Sequence, residues 1–541
     1  MYFSEAFTQS ERDVLSRFFT DLDGPVFALV NLPEVVKGAL FARYSRSPKS
    51  LRRLFLDEFA SQPESGIGAI AEAIPGQDPA VRTKRAEELY ERVFDDYGDD
   101  SVAQLGGAHL ACEQASNILT KVLEWGRLAA YLEQSTRYIV YDQRLGDRYR
   151  YQVPVELEGS SLRSEYVSTM DWLFDTYARL VRELIPHYES QFKDIPGGVD
   201  RVVRASIRAR ACDTARGLLP ASTLSNLGIF GTGQAYEMML LRMRAHPLGE
   251  VRGYADLMLP ELRKVIPSFM RRVDLPERGV RWSTYFKSTA LHMQEKAAAL
   301  GAEPANRPEV VLVDWDRDAE AKVAAAALYA YTDLPDDQLL DIVRKMPAEE
   351  RAMLLRTYVG ERGNRRHKPG RGMERIDYRF DVLSDFGSFR DLQRHRMLTI
   401  EWQRLGTRHG YVTPADILST GRDGLWSEAM DRMAALHRKL DEALGPDVAQ
   451  FAVPFAYRLR YVLQLNAREA FHMLELRSSP QGHPDYRRVC LEMHRLIKEQ
   501  AGHTQIADAM TFINRDAVDL ARLEAERRTA ARRQARPAGS S

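Results

Sequence analysis

The chain has 541 residues, enough for two or more domains with sizeable cores. It is 44% hydrophobic and 28% charged, an ordinary globular balance, and its 76 basic side chains are matched by 76 acidic ones. That neutrality excludes a global field pulling it toward nucleic acid, and no apolar run reaches the roughly 20 residues needed to span a bilayer.

The N-terminus, Met1 to Phe7, has neither a basic region nor a long apolar one, so no signal peptide is expected. Cys112, Cys212 and Cys490 lie far apart in no zinc or disulfide pattern; a reducing cytoplasm and no metal are expected. In chain order, Pro25 to Leu32 is a β-branched apolar run suited to a buried strand. Helical patterns follow at Glu165 to Tyr188, Val202 to Leu219 and Gln234 to Arg244. Leu300 to Pro308 has linker composition. Beyond it, Glu309 to Val313 reads as a strand, and Arg375 to Leu383 alternates with Ile376, Tyr378, Phe380 and Val382 on one face. Leu425 to Leu444 and Tyr457 to Arg477 read as helices. The end, Leu520 to Ser541, reads as a fraying helix and a disordered, solubilising tail with Arg527-Arg528 and Arg532-Arg533. The fold class is mixed, α/β or α+β, with a small sheet and long helices in each half.

Two stretches carry copies of one arginine-rich motif, Glu124 to Tyr138 and Gln393 to Gly406. With Arg127 laid on Arg396, the first copy has Trp125 and Gly126 where the second has Arg394 and His395. The second has Trp402, Arg404 and Gly406 where the first has Glu133, Ser135 and Arg137. Other landmarks repeat in the same order. Leu40 to Ser45 answers Leu328 to Thr332, and Thr232-Gly233-Gln234 follows Pro220 at the spacing by which Asn466-Ala467-Arg468 follows Pro454. The expected organisation is a first half over 1–300, a second over 301–519 and a tail over 520–541.

Taken together, the copies resemble the signature of the flavin-dependent thymidylate synthases: Arg-His-Arg, a short apolar stretch, a glutamate, then Ser-x-Arg-Tyr. The resemblance implies two tandem domains of the thymidylate-synthase-complementing type. It also implies reductive methylation of dUMP to dTMP with FAD, NADPH and methylenetetrahydrofolate. Arg394, His395, Arg396, Asn466, Arg468, His472 and Glu374 would bind the flavin. Glu133, Gln134, Ser135, Thr136, Arg137, Arg216, Arg394 and Arg477 would bind the nucleotide, with Arg477 and Ser135 serving catalysis. Guanidinium suits such ligands because its planar fork grips phosphate oxygens and keeps its charge.

The first-half counterparts of the flavin set are Trp125, Gly126, Arg127, Thr232, Gln234, Met238 and Met243; Gln450 stands at the second-half counterpart of Arg216. The losses are complementary, so one composite site per chain is expected and the reciprocal one is dead. A fused pair of subunits allows this, because only one of two symmetric sites must work. The resemblance further implies a homodimer forming a pseudo-tetramer, with no nucleic-acid or membrane partner.

Both copies lack the asparagine before the glutamate, with Leu132 and Glu401 in its place, a departure that bears on which pyrimidine is taken. Two alternatives stay open: flavin-dependent alkylation of another pyrimidine nucleotide, and a non-catalytic flavin or nucleotide binder. Without the resemblance, Asn466 to Arg477 reads as a solvated charged helix face on which Arg468 and His472 are neighbours. The basic loop Gly360 to Gly372 could bring His367 or Arg371 to a flavin or be merely solvated; Asp99 to Ser101 occupies its place in the first half.

Overall fold

The structure, a computed structural model, describes residues 5–24, 27, 29–32, 34, 36, 37, 40, 49–60, 104, 106–191 and 200–516. The landmarks 41–45 and 99–101 and the tail 520–541 lie outside the described residues. The expected strand at 25–32 lies partly outside them; its described part holds an isolated bridge, Phe19 to Leu29, and no strand.

Nine strands are described: β1 (Gly107–Ser116), β2 (Ala129–Glu133), β3 (Arg144–Leu145), β4 (Arg148–Tyr149), β5 (Leu224–Thr232), β6 (Val310–Trp315), β7 (Asp377–Asp385), β8 (Leu398–Trp402) and β9 (Arg458–Asn466). The helices that matter below are α1 (Asn117–Leu123), α2 (Leu162–Gln191), α3 (Arg201–Ala215), α4 (Gly233–Arg244), α5 (Phe386–Leu392), α6 (Asp423–Leu444), α7 (Ala467–Arg477) and α8 (Pro484–Glu499). The fold is α+β, with long helices beside small sheets.

By contact density the chain forms two compact units. One comprises Met1–Glu113, Gly126–Glu133 and Asn226–Ala302; the other comprises Gln114–Trp125, Gln134–Ser225 and Glu303–Ser541. The first holds a three-stranded sheet in the order β1-β5-β2. The second holds a four-stranded sheet, β6-β7-β9-β8, antiparallel throughout. The second unit thus includes first-half residues 114–125 and 134–225 together with the second half from Glu303 onward.

The repeat is visible in backbone pairing. β2 pairs with β5 from Ala129↔Gly231 to Glu133↔Leu227, and β8 pairs with β9 from Leu398↔Leu465 to Trp402↔Tyr461. These are the same register once the motif copies are aligned. Within the second unit the two proline landmarks meet at a bridge between Pro220 and Pro454. There the Ala221 N–H donates to Val453 O at 2.8 Å and the Phe455 N–H to Leu219 O at 2.9 Å. Residues 301–308, between the halves, are exposed and have no regular structure.

Most expected elements have a local cause that is easily read. β7 buries Tyr378, Phe380 and Val382 on one face, with Ile376 buried just before it, as the alternation predicts. Each such burial stabilises by about 1.5–3 kcal/mol. Glu165 to Tyr188 lies within α2, and Leu425 to Leu444 within α6. Val202 to Leu219 is α3 followed by a 3₁₀ turn at Arg216–Leu218.

The expected helix from Tyr457 to Arg477 is wrong in its first half. Residues 458–466 form β9, burying Leu459, Tyr461, Leu463 and Leu465 against the outward Arg458, Arg460 and Gln464. That is a period of two, and Asn466 then caps α7, its Oδ1 accepting from the Glu469 N–H at 2.9 Å. β5 has the same alternation, with Ser225, Leu227, Ile229 and Gly231 inward, and sequence reasoning passed over it.

Candidate functional site

The second unit gathers Arg137 of the first motif copy and Arg394, His395 and Arg396 of the second. α5 starts at its cap residue Asp385, whose Oδ1 accepts from the Ser388 N–H at 2.9 Å, and ends at Leu392. Arg394, His395 and Arg396 occupy the turn between α5 and β8, with His395 buried and both arginines exposed. Arg216 begins the 3₁₀ turn after α3, and Gln134 to Arg137 follow the end of β2.

These segments converge on a residue the sequence did not single out, Asp391 in the last turn of α5. Its Oδ2 lies 3.6 Å from Arg216 Nη1 and its Oδ1 lies 3.5 Å from Arg477 Nη1. Both distances are ion pairs wider than a good hydrogen bond. Burial would raise the Asp391 pKa, but Arg477, Arg216, Arg394 and Arg137 hold it well below the usual carboxylate range. Two of those arginines come from each half of the chain. Arg216 is buried, and its Nη2 has no hydrogen-bond partner among the described residues; nor has the buried Oδ2 of Asp385. An unsatisfied buried polar group costs about 1–3 kcal/mol, which a ligand oxygen at Arg216 would recover. The donor set fits a phosphate.

Arg137 is placed differently. Its Nε and Nη2 grip Asp213 at 2.7 and 2.8 Å, Nη2 also donates to Gln481 O at 2.9 Å, and Nη1 donates to the Tyr486 hydroxyl at 3.2 Å. Its guanidinium is fully engaged and ties the first-half turn to α3 and to the start of α8. Ser135 Oγ accepts from the Arg137 N–H at 3.3 Å, and Thr136 Oγ1 accepts from Arg390 Nη1 at 3.3 Å. Gln134 O accepts from Ser225 Oγ at 3.5 Å, and Glu133 is buried at the end of β2.

Arg477, at the end of α7, donates from Nε to His395 Nε2 at 3.0 Å and lies over the Tyr486 ring at 5.5 Å. Neither of its Nη groups makes a hydrogen bond to a described residue. His395 Nδ1 bonds Glu469 Oε1 at 2.8 Å, and His472 Nδ1 bonds Glu469 Oε2 at 3.2 Å. Burial, with Arg477 alongside, pushes His395 down to about 4 against the pull of Glu469. Burial would raise Glu469, but its two histidine hydrogen bonds bring it down to about 2. His395, Glu469 and His472 have the donor types and proximity of a metal site. The arginine on His395 Nε2 instead makes them a closed hydrogen-bond network, since a cation there would face a guanidinium.

The remaining flavin candidates lie along α7 and the loop before β7. Asn466 uses Oδ1 as the helix cap, while its Nδ2 donates to no described residue. Arg468 donates to Pro369 O at 2.9 Å and pairs with Glu374 at 3.3 Å, and Arg371 reaches the same carboxylate at 3.1 Å. The His367 side chain bonds within its loop, to Gly363 and Asn364, and its carbonyl accepts from Arg362 Nε at 2.6 Å. The loop is anchored through Arg362, which grips the buried Glu475 at 2.6 Å between Phe471 and Phe512.

The lost positions have taken structural work. Arg404, opposite Ser135 in the alignment, pairs with Asp447, and Gln450 Oε1 accepts from the Leu405 N–H. Met243, the counterpart of Arg477, is in the core, and Thr232 caps α4. All three cysteines are buried, and burial pushes their thiols up to about 11, 11 and 12, which removes them as thiolates.

The family described as thymidylate synthase complementing protein matches the chain twice, over residues 57–268 and 311–502. The chain belongs to that family. The two matches fall on either side of residues 301–308, so the chain is a tandem pair of family domains. A protein named UPF0159 from Chlamydia pneumoniae is 40% identical over 97% of this chain and 98% of its own length. Another of that name from Thermoplasma acidophilum is 31% identical over 91% and 97%. A flavin-dependent thymidylate synthase from Clostridium tetani is 25% identical over 40% of this chain and 83% of its own length. That enzyme therefore corresponds in size to one half of the tandem pair. Among the described residues no helix is long and apolar enough to cross a membrane.

Proposed function

We propose that the protein is a flavin-dependent thymidylate synthase that methylates dUMP with methylenetetrahydrofolate and NADPH through one composite site per chain. The reading rests above all on Arg216 of the first half and Arg477 of the second pairing with the same carboxylate, Asp391, whose ionised form Arg394 and Arg137 also favour. Arg216, with its unsatisfied Nη2, binds the nucleotide phosphate beside Ser135. Arg477 presents its Nη groups to the N3–O4 edge of uracil and stabilises negative charge developing there. Arg137 holds the Ser135 turn in place through Asp213 and Tyr486. Arg394, Arg396, Asn466, Arg468 and His472 bind FAD, with Glu374 fixing Arg468. The flavin, when bound, supplies the hydride; the chain's own residues bind, orient and polarise. The halves are assigned to 1–300 and 301–519, and two chains pair into a four-lobed assembly in the cytoplasm.

One observation favours a second reading, alkylation of another pyrimidine nucleotide. An ionised acceptor beside Arg477 suits an exocyclic 4-amino group, which cytosine offers and uracil lacks, and Asp391 is such an acceptor. The test is rescue of a thymidine-requiring strain, with purified protein assayed on dUMP and dCMP. Rescue with dTMP formed from dUMP is expected. No rescue, with dUMP bound but unchanged, would overturn the first reading, and turnover of dCMP alone would establish the second.

A further inference from the structure

We propose that Glu469 is a positioning residue. By accepting a hydrogen bond from the Nδ1–H of His395 it leaves Nε2 as an acceptor, and that acceptor aims Arg477 at the nucleotide. The role of Arg477 toward the nucleotide rests on the function proposed above; the hydrogen-bond logic does not.

An arginine Nε–H can only donate, so the 3.0 Å contact from Arg477 requires a lone pair on His395 Nε2. A neutral imidazole with a bare Nε2 carries its proton on Nδ1, which faces Glu469 Oε1 at 2.8 Å. The other tautomer would set two N–H groups against each other at Nε2 and leave a buried carboxylate facing a bare nitrogen. Glu469 is itself fixed at the start of α7 by the bond from its N–H to Asn466 and by His472 on its second oxygen. Burial keeps His395 neutral, and the hydrogen bonds from His395 and His472 keep Glu469 ionised against its own burial, so the arrangement persists at neutral pH. The helix thus supplies Arg477 at one end and the group that orients it at the other, with His395 between them.

What matters on this account is an acceptor at Oε1, not a negative charge. Glu469→Gln keeps that acceptor, because the half-exposed His472 can change tautomer to face the amide. Glu469→Leu removes it. The test reads the His395 tautomer by NMR of protein labelled with nitrogen-15 histidine, the signal assigned by its loss in His395→Asn, together with kcat/KM for dUMP. The wild type and Glu469→Gln should show a protonated Nδ1 and a bare Nε2, with kcat/KM within a few-fold of each other. Glu469→Leu should lose the single tautomer and about a hundredfold in kcat/KM, the order expected for an ångström of misplacement. A protonated Nε2 in the wild type, or equal losses in Gln and Leu, would overturn the proposal. If the protein forms no dTMP at all, the functional reading fails and the tautomer readout still decides the role of Glu469.

Discussion

Arg216→Ala and Arg477→Ala are each expected to abolish methylation of dUMP, although the two residues lie in different halves of the chain. Arg477 contributes its Nη groups, which make no hydrogen bond to a described residue, to charge that develops on the pyrimidine, and loss of one such donor costs on the order of 10²–10³ in kcat. Arg216 contributes a buried guanidinium with an unsatisfied Nη2, so its loss should appear first in KM for dUMP. Arg404→Ala is the matched control. Arg404 occupies the position equivalent to Ser135 in the other half, but its ion pair with Asp447 is surface-exposed and contributes about 0–1 kcal/mol to stability. Steady-state kinetics on the three variants should show two dead enzymes and one of nearly normal activity. Comparable losses at Arg404 would mean that the reciprocal site also works.

Asp391→Asn should act in two directions at once. Removing one partner from a buried ionic cluster costs about 3–5 kcal/mol, because the remaining charges lose their counter-ion. Arg216 and Arg477 are both held against Asp391, so thermal unfolding should begin at clearly lower temperature. The same change removes one negative charge from the subsite, so dUMP should bind tighter and restore much of the lost stability on saturation. Acid behaviour follows from the depressed pKa of Asp391. Its contribution is present above the ordinary aspartate value of about 4 and is lost as pH falls through its lower folded value, so Asp391→Asn should lose that part of the acid dependence. Lower stability with unchanged dUMP affinity would reduce Asp391 to a packing role.

The sequence made the repeat and its arginines legible because those positions sit in a long motif at fixed spacing. Complementary loss led to the expectation of one composite constellation; Arg137, Arg216, Arg394 and Arg477 all lie in one compact unit, where Arg216 and Arg477 pair with Asp391. The carboxylates that organise them were not legible. Asp391 stands three residues before Arg394 and Glu469 directly after Arg468, and at such spacings a carboxylate reads as half of a solvated ion pair. Nothing local says that either is buried. Arg137 illustrates the converse: the motif marks it for a ligand, while its guanidinium is spent on Asp213, Gln481 and Tyr486. Among the elements, β9 was hidden because Leu459, Val462 and Leu463 also satisfy helical spacing, and only the cap at Asn466 marks the change of period. Short strands such as β2 and β8 have too few residues to establish a period at all.

The most direct test of the composite site is its stoichiometry. Protein loaded with FAD would be titrated with dUMP while the visible flavin band is followed to its end point. One nucleotide bound per chain, with a shift of the band, is the predicted result. Two per chain, or dUMP bound with no flavin response, would contradict a single site built from both halves.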